Sequence, residues 1–308
     1  MKLRVARHTK NLSPMIGFYT EVIGLEHLGG FENHDRYDGV FLGLPNENWE
    51  IEFTVSDELP GHTPDEDDLL VFYFNSRFEM EAVIKRAINN GILPIKAKNP
   101  YWNKNGMTLP DPDGFLVTLA LRSPKLDSDK LLSKQAISSG IQDWDSLLDH
   151  VRNLPYGRNA NRHDLSLVLS EAKGSCSSKH ALLKAIADES GIDAKLVIGI
   201  YKMNRENTRG IGKTLENSGL EYVPEAHCYL KFGQHRYDFT NPHSDISKIE
   251  TDLLEEIEIT PSQVADFKVQ YHKNFIKKWI SDEKIALNFD AVWQLRERCI
   301  EALSENKS

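Results

Sequence analysis

Twice within residues 1–122 the chain runs through one order of apolar and polar positions, at an offset of roughly 65, and such repetition constrains the fold before any single motif does. In the first copy an apolar run at residues 3–6 is followed by Ser13-Pro14 and a stripe of Ile16, Phe18, Tyr19, Val22 and Ile23, with Gly24 behind it. Proline at a helix start and glycine just past its end match the capping asymmetry of helices. Extended stretches follow at residues 25–31, 39–44 and 49–55. In the last, Trp49, Ile51 and Phe53 alternate with Glu50, Glu52 and Thr54, the period of a strand with one buried face. The second copy predicts a strand at residues 69–74, a helix at 78–90 stopped by Gly91, and strands at 92–97, 106–109 and 115–119. Its turn, Asp111-Pro112-Asp113-Gly114, has the residues a tight reversal needs. Each copy reads as a βαβββ unit, and the acidic, proline-containing residues 58–68 read as the surface loop between them.

Residues 122–139 are polar, contain Pro124 and read as a junction, which divides the chain into domains 1–124 and 125–308. Beyond it, Trp144, Leu147, Leu148 and Val151 repeat at helical spacing up to Pro155. A longer helix is expected over residues 177–189 and a strand over 195–201. Residues 202–219 are polar and glycine-containing and read as a flexible loop able to gate a site. Residues 227–232 and 236–240 alternate on either side of Gly233-Gln234-His235, which predicts a hairpin. Two helices, 261–280 and 289–303, follow. The stripe Phe267, Tyr271, Phe275 and Trp279 is a packing pattern and receives no chemistry. The expected class is α+β.

Composition narrows the function. At 308 residues and 40% apolar content, two domains can each hold a core. The formal charge is −9 and neither half is basic, which disfavours sequence-independent nucleic-acid binding. The three cysteines, Cys176, Cys228 and Cys299, show neither C-x-x-C nor zinc spacing, as in a chain kept in a reducing compartment. The start, MKLRVARHTKNLS, lacks an apolar signal region, and no apolar stretch approaches the ~20 residues that span a bilayer. The expectation is a cytoplasmic protein without a membrane partner.

Gly174-Ser175-Cys176-Ser177-Ser178 lies where a loop enters the helix whose apolar face is Ala181, Leu182, Ala185 and Ile186. A thiol at a helix head meets unpaired N–H groups and the positive end of the dipole, both of which favour thiolate. A lone cysteine more often packs as a small apolar residue, so a base and its orienting group are needed to change the reading. The hairpin supplies them. With Gly233-Gln234 as a two-residue turn, Asp238 falls opposite Tyr229 and diagonal to His227 on one sheet face, within side-chain reach. A three-residue turn would slip the register by one. His180, one turn after Cys176, is a rival base that helical spacing leaves facing solvent, and Cys228 points to the opposite face of its strand from His227.

This order resembles the transglutaminase-like core of the papain-like superfamily. Gly174-Ser-Cys176, Ala181-Leu-Leu-Lys-Ala-Ile-Ala187 and Gly191-Ile-Asp-Ala-Lys-Leu-Val197 resemble the family's cysteine helix and following strand. Glu225-Ala-His227 and Tyr237-Asp238-Phe-Thr resemble its histidine and aspartate strands. The resemblance spans residues 140–245 and implies Cys176 as nucleophile, His227 as base and then acid, and Asp238 as the group orienting the imidazole. The interval between His227 and Asp238 is shorter than the family pattern. An oxyanion hole would combine the Cys176 N–H with a second donor, for which Tyr156 is the candidate.

The paired units of residues 2–121, with residues 11–25 and Asp111-Pro112-Asp113-Gly114, resemble the vicinal oxygen chelate superfamily of glyoxalase and bleomycin-resistance proteins. That resemblance implies metal ligands on the first and last strands of each unit. Aligning the copies puts Arg4, Leu69 and Thr118 at three of those positions and retains only Glu52, so no metal and no cofactor is expected. Arg4 and Glu52 become candidates for an ion pair or for ligand binding.

The combined expectation is a paired βαβββ module followed by a transglutaminase-like α+β domain with C-terminal helices. Its function would be cysteine-dependent acyl transfer or hydrolysis on a peptide, protein or small amide, beside a metal-free ligand-binding module. Rival readings are a non-catalytic binding or scaffold protein and a metal-dependent lyase or dioxygenase. A homodimer through the N-terminal module is a further partner class.

Overall fold

In the computed structural model the described residues are 1–208, 210–216 and 218–305, with side chains described to residue 302. The chain divides into two compact units, Met1–Pro124 and Lys125–Ser308.

In the first unit β1 (Leu3–His8), α1 (Leu12–Gly17), β2 (Glu26–His34), β3 (Tyr37–Gly43) and β4 (Trp49–Val55) form the first βαβββ copy, with sheet order β1-β4-β3-β2. The Asn11 side chain caps α1 by accepting from the Ser13 N–H. The helix then widens into a π-helical turn over Phe18–Ile23 and ends at Gly24, whose φ of 96° is the left-handed stop that glycine accommodates. Met15, Phe18, Tyr19, Val22 and Ile23 bury their side chains against Val40, Leu42, Ile51 and Phe53 of the sheet. In β4 the strand alternation is broken by chemistry, because Glu50 is as buried as Ile51, held there by cations described below.

The second copy departs from the expected four strands. β5 (Leu69–Phe74), α2 (Arg77–Asn89), a short α3 (Pro100–Asn105), β6 (Gly106–Pro110) and β7 (Leu116–Leu121) give a sheet of order β5-β7-β6. The strand expected at residues 92–97 makes a single bridge, Ile95 to Thr108. Pro94 stands next to it without an N–H to give a ladder. The turn forms as expected: the Gly114 N–H donates to the Asp111 carbonyl at 2.9 Å, and Asp111 Oδ1 accepts from the N–H groups of Asp113 and Phe115.

The second unit opens with α4 (Leu131–Ser138) inside the stretch expected to be a polar junction. Ser133 and Ala136 are buried there, and Glu189 accepts hydrogen bonds from the Leu132 and Ser133 N–H groups. Then come α5 (Trp144–Asn153), α6 (Leu167–Ser170), α7 (Cys176–Glu189), β8 (Lys195–Met203), α8 (Gly212–Glu216), β9 (Val223–Phe232), β10 (His235–Tyr237), α9 (Ser247–Glu250), β11 (Leu253–Ile259), α10 (Asp266–Asp282) and α11 (Phe289–Glu305). The sheet order is β10-β9-β8-β11. Residues 202–219 are not a free loop: they finish β8, form α8, and bury Ile211 and Leu215 in a core with Trp279, Val292 and Leu295. Arg209 and Asn217 of that stretch lie outside the described residues. β11 was not anticipated, since Leu253–Ile259 carries three glutamates and no clean alternation. No helix of the described residues is long and apolar enough to cross a membrane.

Candidate active site

The head of α7 is built by a capping box. Ser175 Oγ accepts from the Ser178 N–H at 3.3 Å and Ser178 Oγ accepts from the Ser175 N–H at 3.0 Å. Cys176 is thereby the first helical residue, with Ala181, Leu182, Leu183 and Ile186 pinning the helix through its buried face.

His227 arrives on β9, where strand alternation puts Glu225, His227 and Tyr229 on one face and Ala226, Cys228 and Leu230 on the other. His235 pairs with Phe232, Arg236 with Lys231 and Tyr237 with Leu230, so the turn has two residues, Gly233 and Gln234, and Asp238 follows directly. His227 Nε2 lies 2.9 Å from Asp238 Oδ2, while Asp238 Oδ1 accepts from the Thr240 N–H at 2.9 Å. With Nε2 engaged by Asp238, Nδ1 is the ring nitrogen left for the Cys176 thiol, to which His227 also hydrogen-bonds. The three residues picked from sequence therefore converge.

The charges agree with the contacts. Burial pushes the Cys176 thiol up, but the Lys268 ammonium and then His227 outweigh it and bring it down to about 6. Burial alone would lower His227; the Asp238 carboxylate reverses this and holds the imidazole well above its ordinary value. Burial would raise Asp238, which His227 instead holds well below the usual carboxylate range.

The rival base is disposed of by its partners. His180 does not face solvent; it is fully buried, Nδ1 donates to the Cys176 carbonyl at 2.7 Å, and Nε2 accepts the Phe239 N–H at 2.8 Å. Accepting at Nε2 requires the neutral ring, and burial takes its pKa down to about 4. Cys228 is buried on the opposite face of β9, as expected, and its backbone N–H bonds the Cys176 sulfur. Tyr156 lines the same cavity as Cys176, held there by a bridge to Gly174, and burial pushes its hydroxyl up to about 12, so it is a donor at neutral pH.

Three further features had no signal in the sequence. Lys268 on α10 brings Nζ to 3.8 Å from Cys176 Sγ and 2.7 Å from Ser177 Oγ, from 92 residues away. Lys179, fully buried, donates to the carbonyls of Leu154 and Thr240, tying the segment before Tyr156 to the segment after Asp238. Arg236 forks onto Glu256 at 2.8 and 2.6 Å while Tyr229 donates to the same carboxylate, strapping β10 across the sheet face to β11. Gly199, opposite His227, makes room for this strap, since a Cβ there would stand 2.7 Å from the Tyr229 hydroxyl. The described residues of 202–219 do not line the Cys176 cavity.

In the first unit Arg4 Nε donates to Glu50 at 2.6 Å and Nη1 to Glu52 at 3.1 Å, and Lys2 joins Glu50 at 2.6 Å. Leu69 is apolar, and the Thr118 hydroxyl is spent on Thr108 at 2.9 Å. The positions that the chelate resemblance reserves for metal ligands therefore do not fit a metal. Among the described residues no group of three or more His, Cys, Asp or Glu side chains gathers to hold one. Arg4 and Glu52 do not line this unit's cavity of about 490 Å³, whose wall includes Arg7, His8, His62 and Phe115.

Fold and site together define a module of one four-stranded βαβββ copy and one three-stranded copy, followed in the chain by a transglutaminase-like domain with a cysteine at a helix head. Residues 3–54 match the YycE-like N-terminal domain, residues 67–120 the YycE-like C-terminal domain, and residues 134–238 the transglutaminase-like superfamily. The uncharacterized protein YycE of Bacillus subtilis (strain 168) is 38% identical over 119 residues, which cover 38% of this chain and 84% of that protein. The chain thus belongs to the YycE-like family through its first 120 residues, and carries the transglutaminase-like domain after them. A crystal structure of YycE from B. subtilis, a protein of unknown function, is 36% identical over 39% of this chain and 88% of its own, with a TM-score of 0.37. The Leishmania major glyoxalase I structure is 16% identical over 46% of this chain and 91% of its own, with a TM-score of 0.33.

Proposed function

We propose that the second unit is a cysteine-dependent hydrolase or acyltransferase acting on an amide. The observation that carries this reading is the chain Cys176, His227, Asp238, closed by the 2.9 Å contact of His227 Nε2 with Asp238. The Cys176 thiolate attacks the amide carbonyl carbon, and the electron pair moves onto oxygen. The oxyanion is met by the Cys176 N–H and the Tyr156 hydroxyl. The tetrahedral intermediate collapses as the C–N bond breaks, and the His227 imidazolium gives its proton to the departing amine, leaving a thioester. Water or an amine, deprotonated by the now neutral His227, attacks the thioester and expels the thiolate. Asp238 positions the ring and stabilises its charged form.

The first unit serves on this reading as a metal-free ligand-binding module. Ile51, Leu70 and Phe115 give its cavity an apolar wall, and Arg7 Nε, buried without a hydrogen-bond partner, supplies a donor.

The test is covalent labelling by a small electrophile at pH 6.5, read by intact mass and peptide mapping. Cys176 should react faster than the same thiol in the urea-unfolded chain, and Cys176→Ala should abolish the modification. Native reactivity no greater than unfolded reactivity would refute the proposal.

A further inference from the structure

We infer that the Cys176 cavity takes an acyl donor bearing an oxyacid anion, in the simplest case a carboxylate, close to the amide presented to the sulfur. The inference rests on the reading of Cys176 as nucleophile and adds the class of substrate. The cavity measures about 300 Å³, the size of a small ligand site, and its wall is cationic in a chain whose net charge is −9.

Two carboxylates line it, and both are occupied. Glu225 accepts both nitrogens of an Arg296 fork at 2.6 Å, and Glu297 takes Arg296 at 2.7 Å and Arg158 at 3.4 Å. Arg162, Lys268 and Lys273 also line the cavity, and no carboxylate lies within ion-pair distance of them among the described residues. Lys268 is committed to the sulfur and to Ser177. Arg162 and Lys273 remain, the latter with its ammonium 5.2 Å from the Trp293 ring, which provides an apolar wall beside the charge. A second anion beside a thiolate is repelled unless cations offset it, and these two share the cavity with the sulfur. The arginine fork matches a carboxylate with two parallel hydrogen bonds.

The experiment compares iodoacetate with iodoacetamide, reagents of nearly one shape that differ in charge, at Cys176 of the full native chain in low salt. The rate ratio, anionic over neutral, should exceed that of the urea-unfolded chain by about tenfold and fall toward it in 0.5 M salt, the range that steering by a charged cleft supplies. The pair R162E/K273E should collapse the ratio. Succinamate, a carboxamide with a carboxylate, should protect Cys176 from iodoacetamide at about tenfold lower concentration than succinamide. A ratio equal to the unfolded value and indifferent to R162E/K273E would overturn the inference while leaving the nucleophile intact, provided that iodoacetamide still reacts preferentially with native Cys176. Inorganic phosphate protecting as well as succinamate would also overturn it, since the cavity would then hold any oxyanion and not an acyl donor. Absence of preferential iodoacetamide labelling would instead remove the reading of Cys176 on which the inference stands.

Discussion

The two units differ in how completely their charges are partnered. On the first sheet, Lys2, Arg4, Glu50 and Glu52 answer one another across β1 and β4, and Arg7 closes on Asp111, which also receives the Tyr19 hydroxyl. Around Cys176, by contrast, three cations face a cavity with no carboxylate partner, and a thiol is held near pH 6 by charge it does not itself balance. Charges that neutralise each other build a fold; charges left uncompensated are available to something that arrives. The lesson concerns where chemistry is retained. The first unit pairs Arg4 with Glu50 and Glu52, whereas the second sets a cysteine beside cations that share its cavity.

The largest effect expected is on turnover in the second unit. On the proposed reading His227→Ala removes the base and the acid, and amide cleavage or transfer should fall by ~10²–10⁴-fold, measured once a substrate amide is in hand. Asp238→Asn tests the same three residues through the ring's charge. The upper limit of the thiolate–imidazolium window should move down in pH, because the carboxylate that holds His227 above its ordinary value is gone. A variant that loses rate without any change in pH profile would mark Asp238 as structural only.

A comparable loss, now in stability, should follow in the first unit from Arg7→Met. Asp111 is fully buried at its side chain, and removing its cation leaves a carboxylate uncompensated at about 3–5 kcal/mol. Calorimetry of the full chain should show an early transition of the N-terminal unit with Cys176 labelling unaffected. Equal loss of labelling would blur the division drawn here between the two units.

The sequence was most legible where periodicity and turn chemistry act locally. β4 fell where the alternation put it and β5 where the repeat put it, and the two-residue turn at Gly233-Gln234 gave the register that brings Asp238 to His227. It was less legible where tertiary contact decides. Pro94 thinned an expected strand to one bridge, and β11 forms from a glutamate-rich segment that pairs along β8 and offers Glu256 to Arg236 and Tyr229. Residues 202–219 looked like a loop by composition yet contribute Ile211 and Leu215 to a core. Lys268 lay beyond sequence reasoning for the same reason: it stands one place after Phe267 in an aromatic stripe, and nothing in that pattern points to a cysteine 92 residues earlier.

Lys268→Met sharpens the comparison at lower amplitude. Its ammonium is the leading influence that lowers the Cys176 thiol against burial, so removing it must raise that pKa from about 6 toward the ordinary thiol value. The thiolate fraction at pH 6.5 then drops, and labelling there should slow by about tenfold, with convergence toward the native rate by pH 9. Slowing by the same factor at every pH would show that Lys268 orders the cavity without setting the charge on sulfur.

The smallest effect is expected from Arg4→Gln. Arg4 is the cation that the repeat alignment places at a ligand position, but its side chain is 43% exposed and Glu50 keeps Lys2 at 2.6 Å when it is gone. Exposed pairs contribute little, so the melting midpoint should move by less than about 2 °C. Lys2→Gln alone should be equally mild, since Arg4 remains. The double variant is different in kind, because the buried Glu50 carboxylate then loses both cations; its loss should exceed the sum of the two single effects. Simple additivity across that cycle would mean that solvent, not the pair of cations, stabilises Glu50, and the first unit's charges would no longer count as closed upon themselves.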